Sequence, residues 1–273
     1  MMANEEIGKT VLAAGLKTNY LEAGEGFPVV LIHGSGPGVT AFANWRSTLP
    51  SLAQRFRALA PDVAGFGYTQ RRTGASYTMD FWIAHILGFL DALRIGKAHF
   101  VGNSFGGAVT LALASRYPEL VERFVLMGAC ATEFPLTDGL DAAWGYEPSP
   151  QNMRRLMDWF AYDKTLITDD LIQHRYEASI RPGFQEAFSQ MFPAPRQRHI
   201  TSLATPDEQV RRIPHRVLLV HGRDDRIIPV AASIKLNELI ERSELHVFGQ
   251  CGHWTQIEKR ERFNQLVLEF LAE

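Results

Sequence analysis

Gly102-Asn103-Ser104-Phe105-Gly106 sets one serine between two glycines, and a serine so placed can act as a nucleophile. The letters alone are weak: with glycine at about 7% of ordinary usage, roughly one chain in ten of this length carries the pattern by chance. The flanks carry the weight. Ala98-His99-Phe100-Val101 reads as a buried strand, and Ala108 to Tyr117 as an Ala- and Leu-rich helix that Pro118 closes. A serine at such a strand-to-helix corner sits on strained backbone, its hydroxyl exposed above the sheet edge. Gly102 and Gly106 leave space where a side chain would meet a neighbouring strand or helix. The amide after the serine opens a helix, where unpaired N–H groups favour negative charge.

A serine hydroxyl needs a base, and the base needs a third group to orient it. In this arrangement the partners follow in the order serine, acid, histidine. His221-Gly-Arg-Asp-Asp-Arg-Ile-Ile-Pro229 comes after the apolar run Val217 to Val220, and Gly252-His253-Trp254 after Leu245 to Phe248. Loops that follow parallel strands open on one sheet edge, so Ser104, an aspartate and His253 can converge there. Asp225 is preferred to Asp224 because it stands four residues before Pro229, on the loop instead of at the strand end. Asp224 reads as a turn residue. His85, His99, His174, His199, His215 and His246 lie in helical, strand or surface contexts, and His33 reads as a backbone anchor before a glycine-rich loop. Cys251 stands two residues from His253, a spacing that seldom aligns two side chains on a loop.

A tetrahedral oxyanion needs two preorganised donors. The Phe105 amide supplies one, and the loop Gly34-Ser35-Gly36-Pro37-Gly38 supplies the other, with the Ser35 N–H as candidate. That loop could instead cradle phosphate, but no Lys-Ser/Thr follows it and no Gly-x-Gly-x-x-Gly fingerprint is present. Nucleotide binding is therefore not expected.

The elements that must hold these loops alternate along the chain. The segments Thr10 to Leu12 and Lys17 to Leu21 form an opening hairpin, and strands are expected at Val29 to Ile32, Arg57 to Ala60 and Phe124 to Gly128. Helices are expected at Trp45 to Gln54, Tyr77 to Leu93, Ala231 to Ile240 and Arg260 to Leu271. Strands alternating with crossover helices give an α/β fold, a mostly parallel sheet covered on both faces. From 135 to 205 the rhythm breaks: helical segments at Gln151 to Tyr162, Asp169 to Ser179 and Phe184 to Phe192, punctuated by Pro148, Pro150, Pro182, Pro193 and Pro195 and rich in aromatic rings, with no convincing strand. We read 1–134 and 206–273 as the core and 135–205 as a helical cap over an apolar site.

The 273 residues can bury a large core, and 28 basic against 30 acidic side chains leave a formal charge of −2. No Lys/Arg cluster invites nucleic acid. Two cysteines, Cys130 and Cys251, offer no disulfide framework and fit a reducing compartment. Met1 to Thr10 is polar and acidic, unlike a signal or transit peptide, and no apolar run is long enough for a bilayer. The expectation is a cytoplasmic protein facing a small molecule, without nucleic-acid or membrane partners.

In combination, His33-Gly-Ser-Gly-Pro-Gly38, Asn44-Trp45-Arg46, Gly102-Asn-Ser-Phe-Gly-Gly107, Gly222-Arg-Asp-Asp-Arg226 and Cys251-Gly-His-Trp254 resemble the meta-cleavage product hydrolases. These are the C–C bond hydrolases of bacterial aromatic degradation, within the α/β-hydrolase superfamily. Arg175-Tyr-Glu-Ala178 and Phe192-Pro-Ala-Pro-Arg-Gln-Arg198 are similar to the cap of the 2-hydroxymuconic semialdehyde hydrolases. The similarity covers almost the whole chain.

The resemblance implies hydrolysis of the C5–C6 bond of 2-hydroxy-6-oxo-2,4-dienoates by a triad of Ser104, Asp225 and His253, with Ser35 and Phe105 amides as the oxyanion hole. It implies no metal and no organic cofactor, and a homo-oligomer. Arg175 matches the family's carboxylate-binding arginine, while Asn103, Trp254 and Asn44 match polar positioning residues. A small apolar end is expected, walled by Cys130, Leu140, Ile200 and Ile228. A carboxylesterase or lactonase on the same scaffold is the nearest rival, since such a triad serves any acyl transfer. A non-catalytic ligand-binding protein of this fold is the other. Haloalkane dehalogenases and epoxide hydrolases use an aspartate nucleophile, which Ser104 disfavours.

Overall fold

A computed structural model describes residues 4–72 and 74–273, so the first three residues of the acidic opening segment lie outside it. Eight strands form one sheet: β1 (Lys9–Ala13), β2 (Leu16–Ala23), β3 (Pro28–Ile32), β4 (Arg57–Pro61), β5 (Ala98–Asn103), β6 (Val121–Met127), β7 (Arg216–Gly222) and β8 (Ser243–Phe248). Their spatial order is β1-β2-β4-β3-β5-β6-β7-β8. The opening hairpin adds two antiparallel pairings; from β4 to β8 every pairing is parallel. The C-terminal ends of β3, β5, β6 and β7 therefore share one edge, where their loops meet.

Residues along a strand point alternately to the two faces, and each central strand splits its side chains between two cores. Val30, Ile32, Phe100, Phe124 and Leu219 pack on one face with Ile86 and Phe89 of the Met79–Ala92 helix and Val109 and Leu113 of the Phe105–Arg116 helix. Val29, Leu31, Val101, Val125 and Val220 pack on the other with Trp45, Leu52, Phe263 and Val267. Burial on both faces explains why these strands read as continuous apolar runs.

The helix expected over Trp45 to Gln54 is two short ones, Ala41–Trp45 and Leu49–Leu52. Pro50 is the reason: its ring would clash with the carbonyl of Arg46 in a continuous helix. Between β6 and β7 the described residues hold helices and no strand. The three expected helices appear as Pro150–Phe160, Asp169–Ser179 and Phe184–Met191. Asp138–Trp144 and Gln197–Leu203 join them. Thr137, Ser149 and Thr168 start three of these helices by accepting an N–H from Leu140, Asn152 and Leu171 at 3.0–3.1 Å. No helix among the described residues is long and apolar enough to cross a membrane.

Candidate active site

Ser104 lies between β5 and the Phe105–Arg116 helix with φ +52° and ψ −114°. For a residue with a side chain this is strained, worth about 1–3 kcal/mol. The surroundings enforce it. The Ser104 N–H donates to Met127 O at 2.9 Å, and its carbonyl accepts from Gly107, Ala108 and Cys130 at 3.0–3.2 Å. The flanking glycines are steric necessities: a Cβ on Gly106 would sit 2.1 Å from Ile32 O, and one on Gly102 2.5 Å from Gly106 O.

Asp225, not Asp224, reaches the imidazole. His253 Nδ1 donates to Asp225 Oδ2 at 2.7 Å, and both side chains are almost wholly buried. Oδ1 accepts the N–H groups of Ile227 and Ile228 at 2.8 and 3.0 Å, which locks the carboxylate plane. Burial alone would raise this carboxyl; His253 and His221 outweigh it and hold the group well below the usual carboxylate range. Asp224 accepts from the Cys251 N–H and the Arg223 guanidinium at the loop surface, the turn role its position suggests. The backbone N–H of His253 donates to Phe160 O at 2.8 Å, tying the imidazole's loop to the end of the Pro150–Phe160 helix.

Ser104 and His253 line one cavity. Among the described residues no hydrogen bond joins their reactive atoms, a common state before substrate tightens such a site. Gly34, Ser35, Asn44, Asn103, Arg175 and Trp254 line the same cavity. Gly34 N–H donates to Asn44 Oδ1 at 3.0 Å, and Trp144 Nε1–H to Ser35 Oγ at 3.1 Å, so the glycine-rich loop is braced from both sides. Among the described residues neither the Ser35 N–H nor the Phe105 N–H has an acceptor. Phe105 offers only its backbone there; its ring is buried against Phe66 and Trp82.

Arg175 donates to Pro37 O at 3.0 Å and Gly38 O at 3.4 Å, and among the described residues it meets no carboxylate. Burial lowers it to about 10, with Glu6 opposing and the like charges of Arg46 and Arg181 adding to the fall. It is still a cation at neutral pH, and among the described residues its hydrogen bonds go only to backbone carbonyls.

The apolar side of the cavity is Val39, Leu156, Met157 and Phe160. None of the wall residues expected from the sequence lines it; Cys130, Leu140, Ile200 and Ile228 are buried in the main core. Helix periodicity could have singled out Leu156, Met157 and Phe160 as one face, but not which face meets the serine. His33 is the backbone anchor expected: Nδ1 bonds Gly34 O and Nε2 accepts the Val63 N–H. His221, which the sequence marks only as the start of a loop motif, lies 3.3 Å from Asp225 Oδ2. Its place four residues before the acid was the one available signal.

Residues 28–260 match the family model described as alpha/beta hydrolase fold. The 2-hydroxy-6-oxo-2,4-heptadienoate hydrolase of Pseudomonas putida strain F1 is 58% identical over 98% of both chains. The 2-hydroxymuconate semialdehyde hydrolase of Pseudomonas sp. strain CF600 is 56% identical, over 98% of this chain and 95% of its own. A solved meta-cleavage product hydrolase from Pseudomonas fluorescens IP01, a mutant complexed with acetates, superposes with a TM-score of 0.98. It is 58% identical and covers 98% of this chain and 99% of its own. A parallel sheet with a serine corner, an Asp–His pair at the same edge and relatives this similar end to end agree: the chain belongs to the α/β-hydrolase fold family and, within it, to the meta-cleavage product hydrolases.

Proposed function

We propose that this chain hydrolyses the C5–C6 bond of 2-hydroxy-6-oxohexa- and hepta-2,4-dienoates, giving 2-hydroxypenta-2,4-dienoate and a small carboxylic acid. The observation that carries this reading is Arg175, a cation that meets no carboxylate among the described residues, in the cavity that holds Ser104 and His253. A neutral ester needs no such charge; a dienoate does. Residues 135–205 act as the cap that supplies Arg175 and the apolar wall.

The substrate carboxylate pairs with Arg175, and Asn103, Asn44 and Trp254 position the rest of the polar end. The dienol first ketonises: the 2-hydroxyl loses its proton and C5 gains one, leaving a 2-oxo group conjugated to the remaining double bond. Ser104 then gives its proton to His253 and attacks C6, and the Ser35 and Phe105 amides hold the resulting oxyanion. When the C5–C6 bond breaks, its electron pair moves through the chain to the 2-oxo oxygen. The proton that His253 took from Ser104 passes to that dienolate, which releases 2-hydroxypenta-2,4-dienoate and leaves the imidazole neutral. Water, deprotonated by His253, hydrolyses the acyl-serine to the acid and restores Ser104. Asp225 keeps His253 in the tautomer that can accept the serine proton. The reaction consumes one water. We propose a cytoplasmic homo-oligomer: the two free, buried cysteines fit a reducing compartment, and the family resemblance supports the assembly.

The test is spectrophotometric. The ring-fission products of catechol, 3-methylcatechol and 2,3-dihydroxybiphenyl are conjugated and coloured, and cleavage bleaches them. The first two should bleach much faster than p-nitrophenyl acetate is hydrolysed, and Ser104→Ala should abolish bleaching. Arg175→Gln should raise KM by about 10- to 150-fold, the loss of a hydrogen bond to a charged group worth about 1.5–3 kcal/mol. Faster turnover of the ester than of any dienoate would make the protein an esterase.

A further inference from the structure

His221, the penultimate residue of β7, is fully buried, lines no part of the cavity and has no role in the reaction above. Its surroundings are nonetheless specific. Nε2 lies 3.0 Å from Ile228 O and 3.3 Å from Asp225 Oδ2. Both of those oxygens only accept, so Nε2 carries the proton and divides it between them. Nδ1 is then free to accept the Ser233 hydroxyl, 2.7 Å away and equally buried at the start of the Val230–Leu239 helix. Asp225 Oδ2 thus stands between two imidazoles: His253 on the cavity side at 2.7 Å and His221 behind.

We infer that His221 and Ser233 form a buried positioning arm that mirrors the reactive Ser104–His253 pair, fixing Asp225 from behind and sharing its negative charge. The arm thereby sets how strongly His253 holds a proton. This rests on the reading of His253 as the base and Asp225 as its partner. Other titratable groups pack nearby without hydrogen-bonding the carboxylate among the described residues. The Cys251 thiol is pushed up to about 12 by burial and is neutral. Asp224 turns to the Cys251 N–H, Glu258 accepts the Gly252 N–H, and Arg226 stacks on Trp159. His221 is therefore the group whose removal changes the charge on Oδ2 most directly.

Withdrawing a donor from a carboxylate concentrates charge on it, which favours the protonated form of the remaining imidazole. The acid limb of the kcat/KM profile reports the base of the free enzyme. His221→Leu should move that limb up by about one pH unit, a tenfold loss of kcat/KM at a fixed pH on the limb. KM should hold within about twofold, because the residue does not face the cavity. His221→Gln, whose amide nitrogen can reach the same acceptors, should restore most of the shift, and Ser233→Ala should move the limb the same way by less. If the limb stays put while activity falls equally at every pH, and Gln is no better than Leu, His221 is packing and the inference is wrong. Nitrogen-15 NMR of the wild-type histidines covers the case of a variant that does not fold. A His221 ring protonated on Nε2 and bare on Nδ1 is expected, and a proton on Nδ1 overturns the proposal. His253→Ala separates the two layers. If that variant still bleaches dienoate at the wild-type rate, the assignment of the base fails; if it is dead and His221→Leu leaves the limb unmoved, only the positioning arm fails.

Discussion

Replacing Asp225 by asparagine tests the geometry most sharply, because the site dictates which way the new amide must face. Oδ1 accepts two backbone N–H groups, from Ile227 and Ile228. Turning the NH2 toward them would forfeit both bonds and leave donors facing a donor, at about 1–3 kcal/mol for each unsatisfied group. The amide oxygen therefore stays there, and the NH2 is driven toward His253 Nδ1, which in the wild type donates at 2.7 Å. His253 escapes the clash by changing tautomer, so that Nδ1 accepts and Nε2 carries the proton. A ring protonated on Nε2 cannot take the proton of Ser104. Losing that function through the wrong tautomer costs about 10⁴ in kcat in a serine protease triad, close to 5.5 kcal/mol at 1.36 kcal/mol per decade. Stopped-flow bleaching of the 3-methylcatechol ring-fission product should show a comparable fall in Asp225→Asn, with near-native circular dichroism. Asp224→Asn, at the loop surface, should stay near wild type. Bleaching by Asp225→Asn within tenfold of wild type would refute the argument, as would equal losses in the two variants.

Gly128 has φ +50°, and a Cβ there would come within 3.2 Å of His253 Nδ1 and 3.3 Å of Asp225 Oδ2. Gly128→Ala should cost about 1–2 kcal/mol of stability from the left-handed backbone alone and lower kcat more than tenfold; an unchanged melting temperature and kcat would contradict this. Trp144→Phe removes the hydrogen bond to Ser35 Oγ and should lower kcat about fivefold, the worth of one neutral hydrogen bond. No change in kcat would mean that the Gly34–Gly38 loop needs no brace from Trp144. His33 and His85 are both pushed down to about 4, chiefly by burial. Folded, they bind protons less readily than unfolded, so their contribution is complete above about pH 6.5 and drains as pH falls toward 4. The slope is at most about 1.4 kcal/mol per pH unit for each ring. Urea unfolding at pH 7, 6 and 5 should show it, and a flat profile would dismiss it.

Much of this was readable in the chain because the informative residues are tied to backbone events. Gly102 and Gly106 mark a corner that admits no side chain, and Val29 to Ile32 and Phe124 to Met127 are apolar on both faces, so position and type followed together. Asp225 could be separated from Asp224 only by its spacing to Pro229, and the structure supplies the physical difference in the Ile227 and Ile228 amides. The cavity wall was not legible. Leu156, Met157 and Phe160 differ from other buried apolar residues only in where their helix is docked, which depends on long-range packing that no local pattern encodes. Asp138–Trp144 escaped for a different reason: at seven residues it is too short for periodicity, and only its Thr137 cap announces it. His221 escaped because a buried histidine at a strand end looks like any other until its neighbours across 12 residues are known.

The hydrogen bond from the His253 backbone to Phe160 O has a consequence for grafting. Phe160 contributes at once to the wall of the cavity and to the mooring of the His253 loop. A chimera that borrows its helices from a relative to gain a new specificity would also borrow that mooring point. Its junctions would have to preserve the register of the carbonyl at 160 to within a few tenths of an ångström, or selectivity would be bought with a misaimed imidazole.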